Sequence, residues 1–119
     1  METQATQTPT PLVRWKRAQE VSYQVLVRVS HCGLWKITKK VYDLPISSTT
    51  YYIELLSSEG KTIYKDDSCE LLSDAKEACE EMMRNPIEFF GEDSPEAKRI
   101  NARLGEILSA DLNKGGSMN

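Results

Sequence analysis

The residue types that could do covalent chemistry stand side by side once in this chain, at His31 and Cys32. A thiol nucleophile needs an imidazole within hydrogen-bond reach of its sulfur and a third group that orients the ring. Neighbouring side chains in a turn point apart, so this pair favours a surface turn. Ser73–Lys76 matches the S-x-x-K pattern of some acyl-transfer enzymes, but no S-D-N or K-T-G companion accompanies it. We therefore expect a protein that is not an enzyme.

The side chains that could ligate a soft metal are the one histidine and the three cysteines, His31, Cys32, Cys69 and Cys79. Structural zinc favours cysteine pairs separated by two to four residues, a spacing that the chain lacks. Asp66, Asp67 and Glu70 lack the D-x-D-x-D-G loop of a calcium site. An odd number of cysteines without a C-x-x-C pair also favours free thiols in a reducing compartment. We expect no metal and no cofactor.

Basic residues interleaved with aromatic residues could hold single-stranded nucleic acid, through phosphate contacts and base stacking. The candidate site is formed by Arg14, Trp15, Arg17, Trp35, Lys36, Lys39 and Lys40. The acidic composition of the chain argues against nucleic-acid binding, because the net charge is −3 and the sequence pI is about 5.2. Nucleic-acid modules are usually basic. Nucleic-acid binding is therefore the alternative function.

The only two phenylalanines, Phe89 and Phe90, stand together in a stretch that resembles a connector. We expect one ring to close the core and the other to stay partly exposed, where it could anchor a partner protein. Several carboxylates flank them. The candidate protein-binding site is formed by Phe89, Phe90, Glu80, Glu81, Glu88, Glu92 and Asp93.

Alternating apolar and polar residues predict four strands joined by short turns. In the second strand, Trp35, Ile37 and Val41 share one face, whose apolar character Lys39 interrupts. The other face carries Lys36, Thr38, Lys40 and Tyr42. Gly33 supplies a positive φ in the turn before this strand. The predicted strands cover residues 21–29, 34–42, 50–56 and 61–65.

The period then changes to that of amphipathic helices. Ser73 is the predicted N-cap of the first helix, which Asn85 and Pro86 end, and Ser94 is the predicted N-cap of the second. The apolar stripe of the first helix consists of Ala75, Ala78, Cys79, Met82 and Met83. The stripe of the second consists of Ala97, Ile100, Leu104, Ile107 and Leu108.

The element order β-β-β-β-α-α predicts an α+β fold, a four-stranded antiparallel sheet with one or two helices packed on one face. Residues 13–112 form the single predicted domain. Residues 1–12 are predicted to be a disordered tail because they are almost devoid of apolar side chains, and residues 113–119 a flexible one.

The composition is that of a globular domain, with 28% charged and 39% hydrophobic residues in a chain of 119. No apolar run approaches the roughly 20 residues that a membrane span needs, and the first residues lack the pattern of a secretory signal, so we expect a cytoplasmic protein without membrane contact. The charge is uneven: residues 1–65 carry +4 and residues 66–119 carry −7.

Together these patterns predict a non-enzymatic protein-binding module, adaptor-like or inhibitor-like. It is of the small α+β type that phages and mobile elements often carry to block a host protein. The identity of the partner stays open, and so does formation of a homodimer.

Overall fold

The computed structural model describes residues 12–43 and 46–117, and its fold is α+β, as predicted. One antiparallel sheet holds five strands in the order of the chain. The strands are β1 Gln19–Ser22, β2 Val25–Val29, β3 Trp35–Tyr42, β4 Ser48–Leu56 and β5 Thr62–Cys69. The helices are α1 Leu72–Arg84, α2 Pro86–Phe90 and α3 Pro95–Ser117.

The prediction of four strands was wrong because residues 21–29 are two strands and not one. Tyr23 and Gln24 form a turn between them, and Ser22 pairs with Val25 across it. Neither turn residue has a positive φ, so no glycine or asparagine marks the reversal. Tyr23 is 87% exposed at this turn. The next turn agrees with its prediction, since Gly33 has a φ of 81°.

The core lies on the face of the sheet that the odd positions of β3 share. Trp35 pairs with Leu55, Ile37 pairs with Ile53, and all four side chains are buried. The stripe of α1 covers this face, with Ala75, Cys79, Met82 and Met83 buried, as its 3.6-residue period predicted. Among the described residues, no helix covers the opposite face of β2 to β5, because α1 and α3 both pack on the core side.

The two long helices begin differently. The N-cap of α1 is Leu71, with extended backbone and no side-chain hydrogen bond, so the prediction that Ser73 caps this helix was wrong. The chain passes from β5 to α1 through only two residues, and helical geometry is already established when it reaches Ser73. The N-cap prediction for α3 is confirmed, since Ser94 Oγ accepts a hydrogen bond from Ala97 N at 3.1 Å.

Helix α3 is fixed to the sheet along its first half. Ile100 is buried, Arg99 Nε donates to Leu56 O at 3.1 Å, and Arg103 Nε donates to Cys32 O at 2.9 Å. Further along, Leu108 is 57% exposed. The predicted domain end at residue 112 falls inside this helix.

The segment before β1 runs along the end of β2. Trp15 forms a bridge with Ser30, Lys16 N donates to Val29 O at 2.9 Å, and His31 N donates to Arg14 O at 2.8 Å. The predicted disordered tail lies outside the described residues except for Leu12. Within the described part of the chain, no helix has the length and apolar character that crossing a bilayer requires.

Candidate protein-binding surface

Helix α2 gives two adjacent phenylalanines opposite environments. The Phe90 ring packs edge-on against Tyr64, with centroids 4.9 Å apart and planes 79° apart, and it lies against the core. The Phe89 side chain is 53% exposed. The prediction that one ring closes the core and the other is partly exposed is confirmed. The expectation of a connector without regular structure was wrong, because this segment is one helical turn.

The ends of α2 explain why the turn forms and why it is held in place. Pro86 stands at its first position, where a missing N–H costs nothing, and its side chain is buried. Gly91 ends the turn with a φ of 94°, and its N–H donates to Ile87 O at 2.8 Å. Phe89 is thus presented by a segment that is fixed on both sides.

Four carboxylates surround this turn in sequence: Glu81 near the end of α1, Glu88 within α2, and Glu92 and Asp93 just after it. All four are exposed. Among the described residues, no ion pair or side-chain hydrogen bond holds any of them. We call Phe89 with these four carboxylates the acidic helical surface.

Glu80 does not belong to this surface, which corrects its assignment to the binding site. Its carboxylate accepts hydrogen bonds from Leu12 N at 2.7 Å and Val13 N at 3.1 Å. Arg84 Nη2 adds an ion pair to it at 2.9 Å. Because both oxygens are engaged within the molecule, Glu80 serves to fasten the N-terminal segment to α1. Phe90 is corrected in the same way, since its ring is used by the core.

A depression of about 580 Å³ lies where the ends of α1 and α2 meet α3. It is lined by Arg84, Asn85, Pro86, Ile87, Glu88 and Asn101. Ile87 is 50% exposed there. A concave site in which Pro86 and Ile87 are combined with polar side chains could receive a side chain of a partner.

The candidate nucleic-acid residues do not share one surface. Trp35 is completely buried and out of reach of any ligand, and Trp15 is half-buried against the core. Lys39 pairs with Tyr51 on the same side of the sheet as Trp35, whereas Lys36 and Lys40 lie on the opposite side. Arg14 and Arg17 belong to the segment before β1. As a single site, this set was wrong.

The candidate set omitted Tyr52 on β4 and Lys65 on the edge strand β5. Both lie on the side of the sheet that carries Lys36 and Lys40. Tyr52 lies on β4 with Lys40 Nζ 5.1 Å and Lys65 Nζ 5.0 Å from its ring centroid. The Tyr52 hydroxyl lies 2.7 Å from that of Tyr42, and this hydrogen bond, with some burial, raises the pKa of Tyr52. The pairing register brings these residues together, so alternation within one strand could not have identified them.

The residues with potential for covalent chemistry have structural partners. Cys32 Sγ lies 3.3 Å from Ser30 Oγ, and Ser30 Oγ also accepts a hydrogen bond from Trp35 N at 3.0 Å. The three cysteines are not joined in disulfides. Burial raises the pKa of the Cys79 thiol, and burial likewise raises the pKa of the Tyr64 hydroxyl. Within the described residues, no group of three or more His, Cys, Asp or Glu side chains could hold a metal ion.

Comparisons with known proteins leave these surfaces to be judged on their own physical properties. No protein-family model matches the chain, and no curated protein or solved structure matches it either.

Proposed function

We propose that this protein is a non-enzymatic binding module, adaptor-like or inhibitor-like, whose partner protein docks on the acidic helical surface. The observation that carries the proposal is the 53% exposure of Phe89 on a helical turn that buries Pro86 and packs Phe90 against Tyr64. A large ring left in water beside a filled core position suggests a contact made with another molecule. Burial of one phenylalanine side chain contributes roughly 1.5–3 kcal/mol.

The rigid setting of Phe89 supports its role as an anchor. Phe90 packs against Tyr64 on one side, and Gly91 turns the chain on the other. An anchor that is already fixed in its bound position loses little conformational entropy on association. The depression beside Ile87 offers a second contact within the same region.

The charge of this region indicates the chemistry of the partner. Residues 66–119 carry −7, and the four carboxylates of the acidic helical surface are exposed. A basic protein surface would be steered toward it, with an association rate that falls as salt is added. We therefore propose a basic protein partner.

The setting we propose is the cytoplasm, where a reducing environment keeps cysteines out of disulfides, as the three cysteines of this chain are. A small rigid surface without catalytic groups fits a protein that acts by occupying a site on its target. Inhibitors of this type are often carried by phages and mobile elements, and we propose that the protein is of this type.

Affinity capture tests the proposal. The immobilised protein is exposed to an extract of the cells that produce it, beside the variants Phe89→Ala and Leu71→Ala. Leu71 is the matched control, since it is an apolar side chain 59% exposed outside the acidic helical surface. The expected result is a basic protein captured by the wild type and by Leu71→Ala but not by Phe89→Ala, and released by salt. Equal capture by both variants would overturn the proposal.

A further inference from the structure

The side of the sheet away from the helices forms a second surface, which we call the open sheet face. It consists of alternate residues that the register aligns across β2 to β5. Lys36, Glu54 and Lys65 form one row across three strands, and Thr38 and Tyr52 belong to the next. A depression of about 300 Å³ runs over this face. Its lining residues are Val21, Val25, Val27, Lys36, Thr38, Lys40, Tyr52, Glu54 and Lys65.

Three lysines dominate the charge of the open sheet face. Lys40 and Lys65 stand over the Tyr52 ring at 5.1 and 5.0 Å, so the aromatic ring brings together two cations that would otherwise repel each other. Lys36 lies four positions from Lys40 on β3, about 13 Å along the strand. The cations are therefore spread over a surface several strands wide.

The two carboxylates of this face, Glu54 and Asp67, offset only part of the charge of its three lysines. Glu54 Oε1 accepts a hydrogen bond from Thr62 Oγ1 at 2.5 Å. Asp67 is the other carboxylate whose charge reaches Tyr52. Among the described residues, no ion pair holds Lys36, Lys40 or Lys65. The face therefore keeps a small excess of positive charge beside the valines that line the depression.

We propose that the open sheet face binds single-stranded nucleic acid, with phosphates on Lys36, Lys40 and Lys65. A line of separate cations fits a polymeric anion better than one small phosphate. The exposed Tyr42 ring offers a surface on which an unstacked base could stack, and the valines offer further apolar contact. Aromatic stacking combined with phosphate contacts is how single strands are held without sequence preference. This site shares no residue with the acidic helical surface, so it stands independently of the proposed function.

The acidity of the whole chain does not oppose this site. The excess of carboxylates is in residues 66–119, most of which belong to the helices on the other side of the sheet. At physiological salt, exposed charges more than about 8 Å apart are largely screened from each other.

The test is fluorescence anisotropy of a labelled oligothymidylate with wild type, Lys40→Gln, Lys65→Gln and Lys39→Gln. Lys39 is the matched control: it neighbours Lys40 in sequence and lies on the opposite face. At about 20 mM salt, each replacement on the open sheet face should weaken binding about tenfold. The slope of log affinity against log salt should become shallower by about 0.7 for each lysine lost. Lys39→Gln should leave affinity within about twofold of the wild type.

Several outcomes would overturn the proposal. Absence of binding at low salt is one, and equal losses for Lys39→Gln and Lys40→Gln are another. Tighter binding of polyglutamate than of the oligonucleotide would assign the face to an acidic protein instead. The last such outcome would come from sedimentation of the protein alone. Salt-sensitive self-association without oligonucleotide binding would show that a second copy covers this face. Tryptophan emission should stay unchanged on binding, because Trp35 is buried on the other side of the sheet.

Discussion

The acidic helical surface and the open sheet face hold their charges in different ways. Near α2, the exposed carboxylates of Glu81, Glu88, Glu92 and Asp93 flank in sequence the exposed ring of Phe89, which takes part in no described aromatic contact. On the sheet, the Tyr52 ring lies under two lysines and its hydroxyl contacts Tyr42. An anchor ready for a partner and a ring that organises cations are different uses of an aromatic side chain. One chain with a modest net charge can therefore carry two surfaces of opposite sign.

The largest effect should come from the two adjacent rings of α2. Phe90→Ala should lower the free energy of unfolding by about 3 kcal/mol, since it removes the contact with Tyr64 and leaves a cavity. Phe89→Ala should change it by no more than about 0.5 kcal/mol, because its ring is largely in water. Urea unfolding of both variants measures the difference. Equal destabilisation would mean that Phe89 is part of the core and not of a binding surface.

The core beneath both surfaces should respond to alkaline pH. Burial raises the pKa of Cys79, so the folded protein favours the neutral thiol. That contribution to stability is complete below about pH 9 and is lost as the pH rises, because the unfolded chain ionises first. The free energy of unfolding should fall by at most about 1.4 kcal/mol for each unit of pH.

Urea unfolding between about pH 8 and pH 10 measures this loss, and Cys79→Ala provides the control. The variant should be less stable at neutral pH but should have a flatter dependence on pH. An unchanged slope in Cys79→Ala would assign the alkaline loss to other groups, of which Tyr64 is the first candidate because burial raises its pKa as well.

Glu80 and Glu81 distinguish carboxylates that hold the fold from those that are free to bind. Glu80→Gln should lower the free energy of unfolding by about 1 kcal/mol, because a neutral amide replaces the carboxylate that accepts hydrogen bonds from Leu12 N and Val13 N. Glu81→Gln should cost nothing measurable. Hydrogen exchange at the amides of Leu12 and Val13 should accelerate only in the first variant. Faster exchange in both would mean that the helix, and not the carboxylate, fixes the N-terminal segment.

The smallest effect should come from the tyrosine pair of the open sheet face. Tyr42→Phe removes the hydroxyl partner that contributes most to the raised pKa of Tyr52. The pKa of Tyr52 should then move back toward 10, the usual value for tyrosine, as an ultraviolet titration of the phenolate would show. Tyr23→Phe is the control, because its exposed ring stands at the β1–β2 turn. A larger shift in the pKa of Tyr52 in Tyr23→Phe than in Tyr42→Phe would contradict the assignment of the raised pKa to the hydrogen bond with Tyr42.

The sequence alone predicted the parts of the fold that depend on the regular spacing of apolar residues along strands and helices. The alternation in β3 predicted the burial of Trp35 and Ile37 correctly, but Val41 is only half-buried and Thr38, on the other face, is buried. The stripe of α1 predicted its buried side chains correctly except for Ala78, which is half-buried.

The sequence missed the reversal at Tyr23 because a turn without glycine or proline leaves the alternation intact. It also placed Trp35 and Lys40 in one site, although residues separated by an odd number of positions face opposite sides of a sheet.

The candidate sites depend on strand register and on contacts between distant residues, which the spacing of apolar residues does not reveal. Lys65 joins Lys40 only because β4 and β5 pair in a particular register, with Tyr52 between them. Glu80 was removed from the acidic set by contacts with residues that are far away in the sequence. Phe89 could be predicted as exposed only as one of an adjacent pair, and the packing against Tyr64 decided which ring was buried.

The irregular edges of the sheet have a consequence for how the protein behaves at high concentration. Strand β1 has four residues, all exposed, with a shift in its pairing. The pairing of β5 shifts once beside Asp66 and Asp67 and once between Thr62 and Tyr64. An edge that is short, kinked or acidic is a poor template for the strand of a neighbouring molecule. Fibrillar growth by strand addition is therefore opposed at both edges, even though one face of the sheet carries no helix.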